Sequence, residues 1–114
     1  MSAQERLDRR MVAAVTSARP WVPEAGRLLW AWFGELHAAR SYGLAGPNPI
    51  GHLEIEAWAR LKRVPLQPRH VATLRKMDAA WIEAARKRSG QGAPAAARTT
   101  DQKINPNAFD AVFG

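Results

Sequence analysis

The sequence predicts an all-α fold: a small bundle of three main helices with an extra N-terminal helix and a flexible C-terminal arm. Three observations carry this. Apolar residues recur at intervals of three and four in four separate stretches. Clusters of proline and glycine divide those stretches, and each proline disfavours helix in the residue before it. Alanine supplies 22 of the 114 residues, so a strong helix former dominates while only 31 larger apolar or aromatic side chains remain for a core.

The first helix, over residues 4–18, sets Leu7, Met11 and Val15 four apart, with Ala14 and Ala18 beside them and arginines on the other side. The run Arg19-Pro20-Trp21-Val22-Pro23 breaks it. The second helix, over residues 24–40, carries the clearest stripe: Leu29, Trp32, Phe33 and Leu36. Pro23 suits its first turn, and the Glu24 carboxylate complements the positive end of its dipole. Leu28 and Trp30 lie on other faces, and Gly34, unfavourable by ~1 kcal/mol in mid-helix, points to a close backbone approach. Turn formers over residues 41–49 end this helix.

A third helix, over residues 51–63, places Ile55, Trp58 and Leu61 or Lys62 on one side. The connection over residues 64–68 is short, which makes the fourth helix, residues 68–88, its neighbour. That helix repeats the pattern with Leu74, Met77, Trp81 and Ala84 or Ala85, and the run from Ser89 to Gly92 stops it. Trp32, Trp58 and Trp81 fall on the three main stripes and are read as the core of a three-helix unit. Asp78, close to the last stripe, is read as a structural partner for an arginine or a tryptophan N–H.

The expected organisation is a basic helix and Pro-rich connection (residues 1–22), a helical core domain (23–88), a flexible linker (89–100) and a hydrophobic docking segment (101–114). The linker is almost entirely small residues, Gly, Ala, Pro, Ser and Thr, which gives little surface to offset the entropy of ordering. Beyond it Ile104, Phe109, Val112 and Phe113 recur, and four large side chains so placed call for burial, either back on the chain's own domain or, as the reach of the linker favours, on a partner. Trp21, in its proline-flanked connection, and Trp30, off the main stripe, are the other candidate partner contacts, because exposed tryptophans dominate protein interfaces.

Enzyme chemistry finds little support. Cysteine is absent, which removes disulfides, thiolate zinc sites and cysteine nucleophiles together. His37, His52 and His70 are scattered; His52 and Glu56 share a helix face, but a metal would need further ligands from Glu35 or His37. No glycine pattern sits between a strand and a helix to cradle phosphate. A non-enzymatic protein without metal or cofactor is expected, and no charge-free run is long enough for a membrane span.

The net charge is +7, with 13 arginines and 4 lysines against 10 acids. Most of the excess falls in residues 67–88, as a candidate basic patch of Arg69, Arg75, Lys76, Arg86, Lys87 and Arg88. The third and fourth helices with their short connection also have the length of a helix-turn-helix, whose second helix would offer Arg69, Arg75 and Lys76 to a major groove. The two prolines of the turn weaken that reading, and only weak, sequence-independent nucleic-acid binding is expected.

One set of strings is more specific. Pro23-Glu24-Ala25-Gly26-Arg27-Leu28-Leu29-Trp30-Ala31-Trp32-Phe33, the Gly46-Pro47-Asn48-Pro49 loop followed by Glu54-Ile55-Glu56-Ala57-Trp58, and Met77-Asp78-Ala79-Ala80-Trp81 resemble the tail assembly chaperones of long-tailed bacteriophages. The resemblance covers residues 23–85. It implies a non-enzymatic helical protein that binds newly made tape-measure and tail-tube subunits in the cytoplasm of the infected bacterium. Self-association is a further expectation. The basic first helix and the hydrophobic C-terminal peptide depart from a minimal member. A structural component of the tail or neck, retained in the virion, and a helix-turn-helix regulator are the alternatives.

Overall fold

The computed structural model describes residues 1–91. The docking segment, with Ile104, Phe109, Val112 and Phe113, and most of the expected linker lie outside the described residues. Residues 1–84 form one compact unit, and the second unit begins at Ala85.

Helix α1 spans Ala3–Val15 and opens on a capping box: Glu5 N donates to Ser2 Oγ (3.0 Å) and Ser2 N donates to Glu5 Oε1 (2.9 Å). It stops three residues before the sequence predicts. Thr16 Oγ1 donates to Ala13 O (3.2 Å) and Ser17 N to Ala14 O (3.2 Å), so side-chain and turn bonds replace the next helical ones. The chain re-enters helix through a 3-10 turn, Glu24–Gly26, and only then forms α2, Arg27–Ala38. The turn formers of residues 41–49 make a small hairpin. Strands β1 (Tyr42–Gly43) and β2 (Gly46–Pro47) pair antiparallel, with Gly46 at φ +112°, a conformation that favours glycine. The fold is therefore mostly α, with a minimal ribbon added.

Helix α3, His52–Lys62, ends in a Schellman motif, with Val64 N donating to Ala59 O (2.9 Å) and Arg63 held left-handed at φ 56°. Helix α4 runs Pro68–Gln91, past the expected stop at Ser89. Pro68 occupies its first position, and Gln67 N donates to His70 Nδ1 (3.0 Å), so a histidine caps the orphan amide.

The core gathers Met11 from α1, Leu29, Phe33 and Leu36 from α2, Ile50 from the loop, Ile55 from α3, and Leu74 and Met77 from α4. Tryptophan is not its centre. Trp32, Trp58 and Trp81 are half-buried and pack around the rim. Trp32 meets Trp58 edge-on at 6.5 Å between ring centroids, whereas Trp81 stands apart from both, against His37 at 4.5 Å. Periodicity assigned these indoles to the correct helix faces, but the slimmer side chains fill the space between the helices.

The close approach expected at Gly34 belongs to another glycine. A Cβ at Gly34 would meet nothing within 4 Å, whereas one at Gly26 would stand 2.3 Å from Met11 Sδ. The bare backbone at Gly26 lets the α1 methionine bury completely against the start of α2.

Candidate protein-binding surface

Helix α3 has two apolar faces. Ile55 is buried, with Trp58 and Ala59 half-buried beside it. On the opposite side Leu53, Ala57 and Leu61 recur every fourth residue and are exposed, Leu53 at 80% and Leu61 at 83%. Periodicity allows either Leu61 or Lys62 on the inner side. The inner edge belongs to Lys62, whose Nζ pairs with Glu35 of α2 at 3.2 Å. Leu61 turns outward.

Beside α3 an open groove of about 460 Å³ runs toward the start of α4, with Ile55, Ala59, Val64, Leu66 and Val71 as its apolar lining and His52, Glu56 and Arg60 among its polar residues. On α2, Leu28 is 65% exposed. It borders a second cleft of about 230 Å³ with Leu7, Trp32 and His70. Apolar side chains are therefore exposed on more than one element of the 1–84 unit.

A buried polar clamp holds the chain between α2 and α3. Arg40 Nη2 donates to Asp78 Oδ1 (2.5 Å), Nη1 to Asn48 O (2.9 Å) and Nε to His37 Nδ1 (3.0 Å). The second oxygen of Asp78 accepts from Ile50 N at 2.9 Å. The Arg40 guanidinium also lies 4.3 Å from the Trp81 ring centroid. Both side chains of the ion pair are almost wholly buried, 1% and 5% exposed. Asp78 thus takes an arginine, one of the two partners the sequence allows. Burial lowers the His37 pKa, and the Arg40 cation lowers it further against the pull of Asp78. The neutral ring is the form that accepts from Arg40.

The unit's other buried carboxylate is Asp8, which no local sequence pattern marks. Its Oδ1 accepts from Thr73 Oγ1 and Gln4 Nε2, and its Oδ2 lies 2.8 Å from Lys76 Nζ. Lys76 is thereby committed to α1. Arg75 turns to α3, with Nη1 2.7 Å from His52 Nδ1, and Arg69 is exposed. These three cations of α4 do not present one basic face. Arg86, Lys87 and Arg88 are exposed in the second unit.

Of the candidate anchors, Trp21 is 64% exposed. Trp30 is half-buried and packs against the core, which leaves it less surface for a partner. His52 and Glu56 point to separate neighbours, Arg75 and Arg60. Among the described residues no three His, Cys, Asp or Glu side chains group in a way that could hold a metal ion, and no helix is long and apolar enough to cross a membrane.

No curated protein and no solved structure matches the chain. A protein family does. Its description is phage tail assembly chaperone, and the match runs over residues 5–83, from the first turn of α1 to beyond Trp81. The matched region takes in the Arg40–Asp78 clamp and both faces of α3, and on this match the chain belongs to the phage tail assembly chaperone family.

Proposed function

We propose that this protein is a non-enzymatic binder that holds newly made tape-measure and tail-tube subunits in the cytoplasm of the infected bacterium and keeps them from aggregating. The observation that carries this is the outward face of α3. A helix that only completes its own domain is polar on the side away from the core. Here Leu53, Ala57 and Leu61 form a second apolar stripe in water, available to an apolar segment of another chain.

Trp21 and the C-terminal residues Ile104, Phe109, Val112 and Phe113 are proposed as further contacts, with Trp30 contributing through its exposed edge. Binding to nucleic acid is proposed to be weak and independent of sequence, since Lys76 and Arg75 are directed to Asp8 and His52.

Co-expression with the tape-measure or tail-tube subunit tests the reading. The wild-type chain should raise the soluble fraction of the subunit and co-purify with it. Leu53→Gln together with Leu61→Gln should lose that capture and keep the melting temperature, because neither side chain belongs to the core. Full capture by the double variant would remove the α3 face from the proposal. Deletion of residues 101–114 should likewise reduce capture and leave the melt unchanged.

A further inference from the structure

The end of α1 borders a cleft that the family match does not explain. The last carbonyls of the helix already have donors: Thr16 Oγ1 reaches Ala13 O, and Ser17 N reaches Ala14 O. Arg19 N donates to Ser17 Oγ at 3.1 Å, and the chain then passes Pro20 to the exposed Trp21. The Arg10 guanidinium sits 5.1 Å from the centroid of the Trp21 ring. Arg10, Ala13, Ala14, Ser17, Arg19 and Trp21 together line a space of about 240 Å³.

The chemistry of that lining is selective. Two alanines and an indole give it an apolar surface, and both of its charges are positive. Among the described residues neither Arg10 nor Arg19 has a carboxylate partner, as is true of most arginines outside the Arg27, Arg40 and Arg60 pairs, but these two share one cleft. Two unpaired guanidinium groups on one small cleft leave a positive potential that an arriving carboxylate would neutralise, with the planar fork suited to bidentate contact. The chain's net charge of +7 would draw such a ligand from a distance.

We propose that this cleft docks an acidic segment of a protein partner, in which a carboxylate engages Arg10 and Arg19 while a neighbouring aliphatic or aromatic side chain packs on Ala13 and Trp21. The assignment rests on the protein-binding reading above and adds the chemistry of the bound segment. A nucleic-acid backbone fits less well. A phosphate track needs a longer row of cations than the two guanidinium groups that line this cleft, whereas its apolar floor of alanine and indole suits a side chain.

The test uses the full chain and a fluorescein-labelled peptide, Asp-Glu-Phe-Asp-Glu-Leu, followed by anisotropy. Its amide counterpart, Asn-Gln-Phe-Asn-Gln-Leu, and a labelled oligothymidylate are run in parallel. The acidic peptide should bind, and Arg10→Gln with Arg19→Gln should weaken it at least about tenfold with the melt unchanged. Trp21→Ala should weaken it as well. Equal binding to the double variant, equal binding of the amide peptide, or tighter binding of the oligothymidylate would each overturn the proposal. Absence of peptide binding alongside normal capture of tail subunits would sink the cleft and leave the binder reading intact; loss of capture in the α3 variant addresses that reading separately.

Discussion

Asp78 and Asp8 are both buried carboxylates, and they fasten different kinds of structure. Asp78 meets a guanidinium as buried as itself and a loop amide, so all its partners are inside. Asp8 meets a threonine hydroxyl inside and Lys76, 56% exposed, outside. The first clamp holds irregular backbone, the hairpin and Ile50, against α2 and α4. The second ties two regular helices, α1 and α4, which also share apolar contact through the core. Water can replace part of what Asp8 loses and almost nothing of what Asp78 loses, so the two should differ in energetic weight.

The largest effect should come from Asp78→Ala. It strands the Arg40 charge in the interior, and breaking one side of a buried pair costs about 3–5 kcal/mol. Chemical denaturation should show a unit near the limit of folding, since small domains hold only about 5–15 kcal/mol. Asp8→Ala should cost less, about 1–3 kcal/mol, because Lys76 can return to solvent and only Thr73 is left buried. Equal losses at the two positions would refute the contrast.

Acid titration probes the Asp8 side of the comparison. Desolvation raises the Asp8 pKa, but bonds from Lys76, Thr73 and Gln4 outweigh it, and the net shift is downward from 3.8. Its contribution is complete above 3.8 and is lost as pH falls through the lower folded value. The His37 and His70 pKa values are lowered from 6.5, in both chiefly by burial. The unfolded chain takes up those protons first, so stability should already decline as pH drops below 6.5. His70→Gln keeps an acceptor for Gln67 N–H and cannot ionise, so it should flatten part of that upper stage in a melting series across pH. The smallest effect belongs to Glu56→Gln. Its pair with Arg60 is exposed and adjacent on one helix, and the loss should stay within about 0.5 kcal/mol.

The helices and their order were legible because apolar spacing and proline positions are local. Met11, Leu29, Phe33, Leu36, Ile55, Leu74 and Met77 all sit on stripes visible in the sequence. What escaped was set by partners distant along the chain. Thr73 lies 65 residues from Asp8, so no window around either residue pairs them. Gly34 falls in the middle of a helical pattern and draws notice, whereas Gly26 falls in the first turn of the expected helix, and only the arrival of Met11 makes its missing Cβ matter. Leu61 shares a helix with Ile55, but periodicity alone does not say which face water keeps. Two of the strings that carry the family resemblance, the Gly46-Pro47-Asn48-Pro49 loop and Met77-Asp78, are segments that the Arg40–Asp78 clamp brings together.

Ile50 gives that clamp a reporter. Its amide lies outside every helix and strand, yet it donates to a buried carboxylate, and the residue is only 3% exposed. Loop amides ordinarily trade their hydrogen for deuterium through local fluctuations. This one can do so only when Asp78 lets go, an event that also uncovers the Arg40 charge. Deuterium uptake at Ile50 should therefore be as slow as at the central amides of α4, and a partner that fixes the hairpin should slow it further without touching the residue itself.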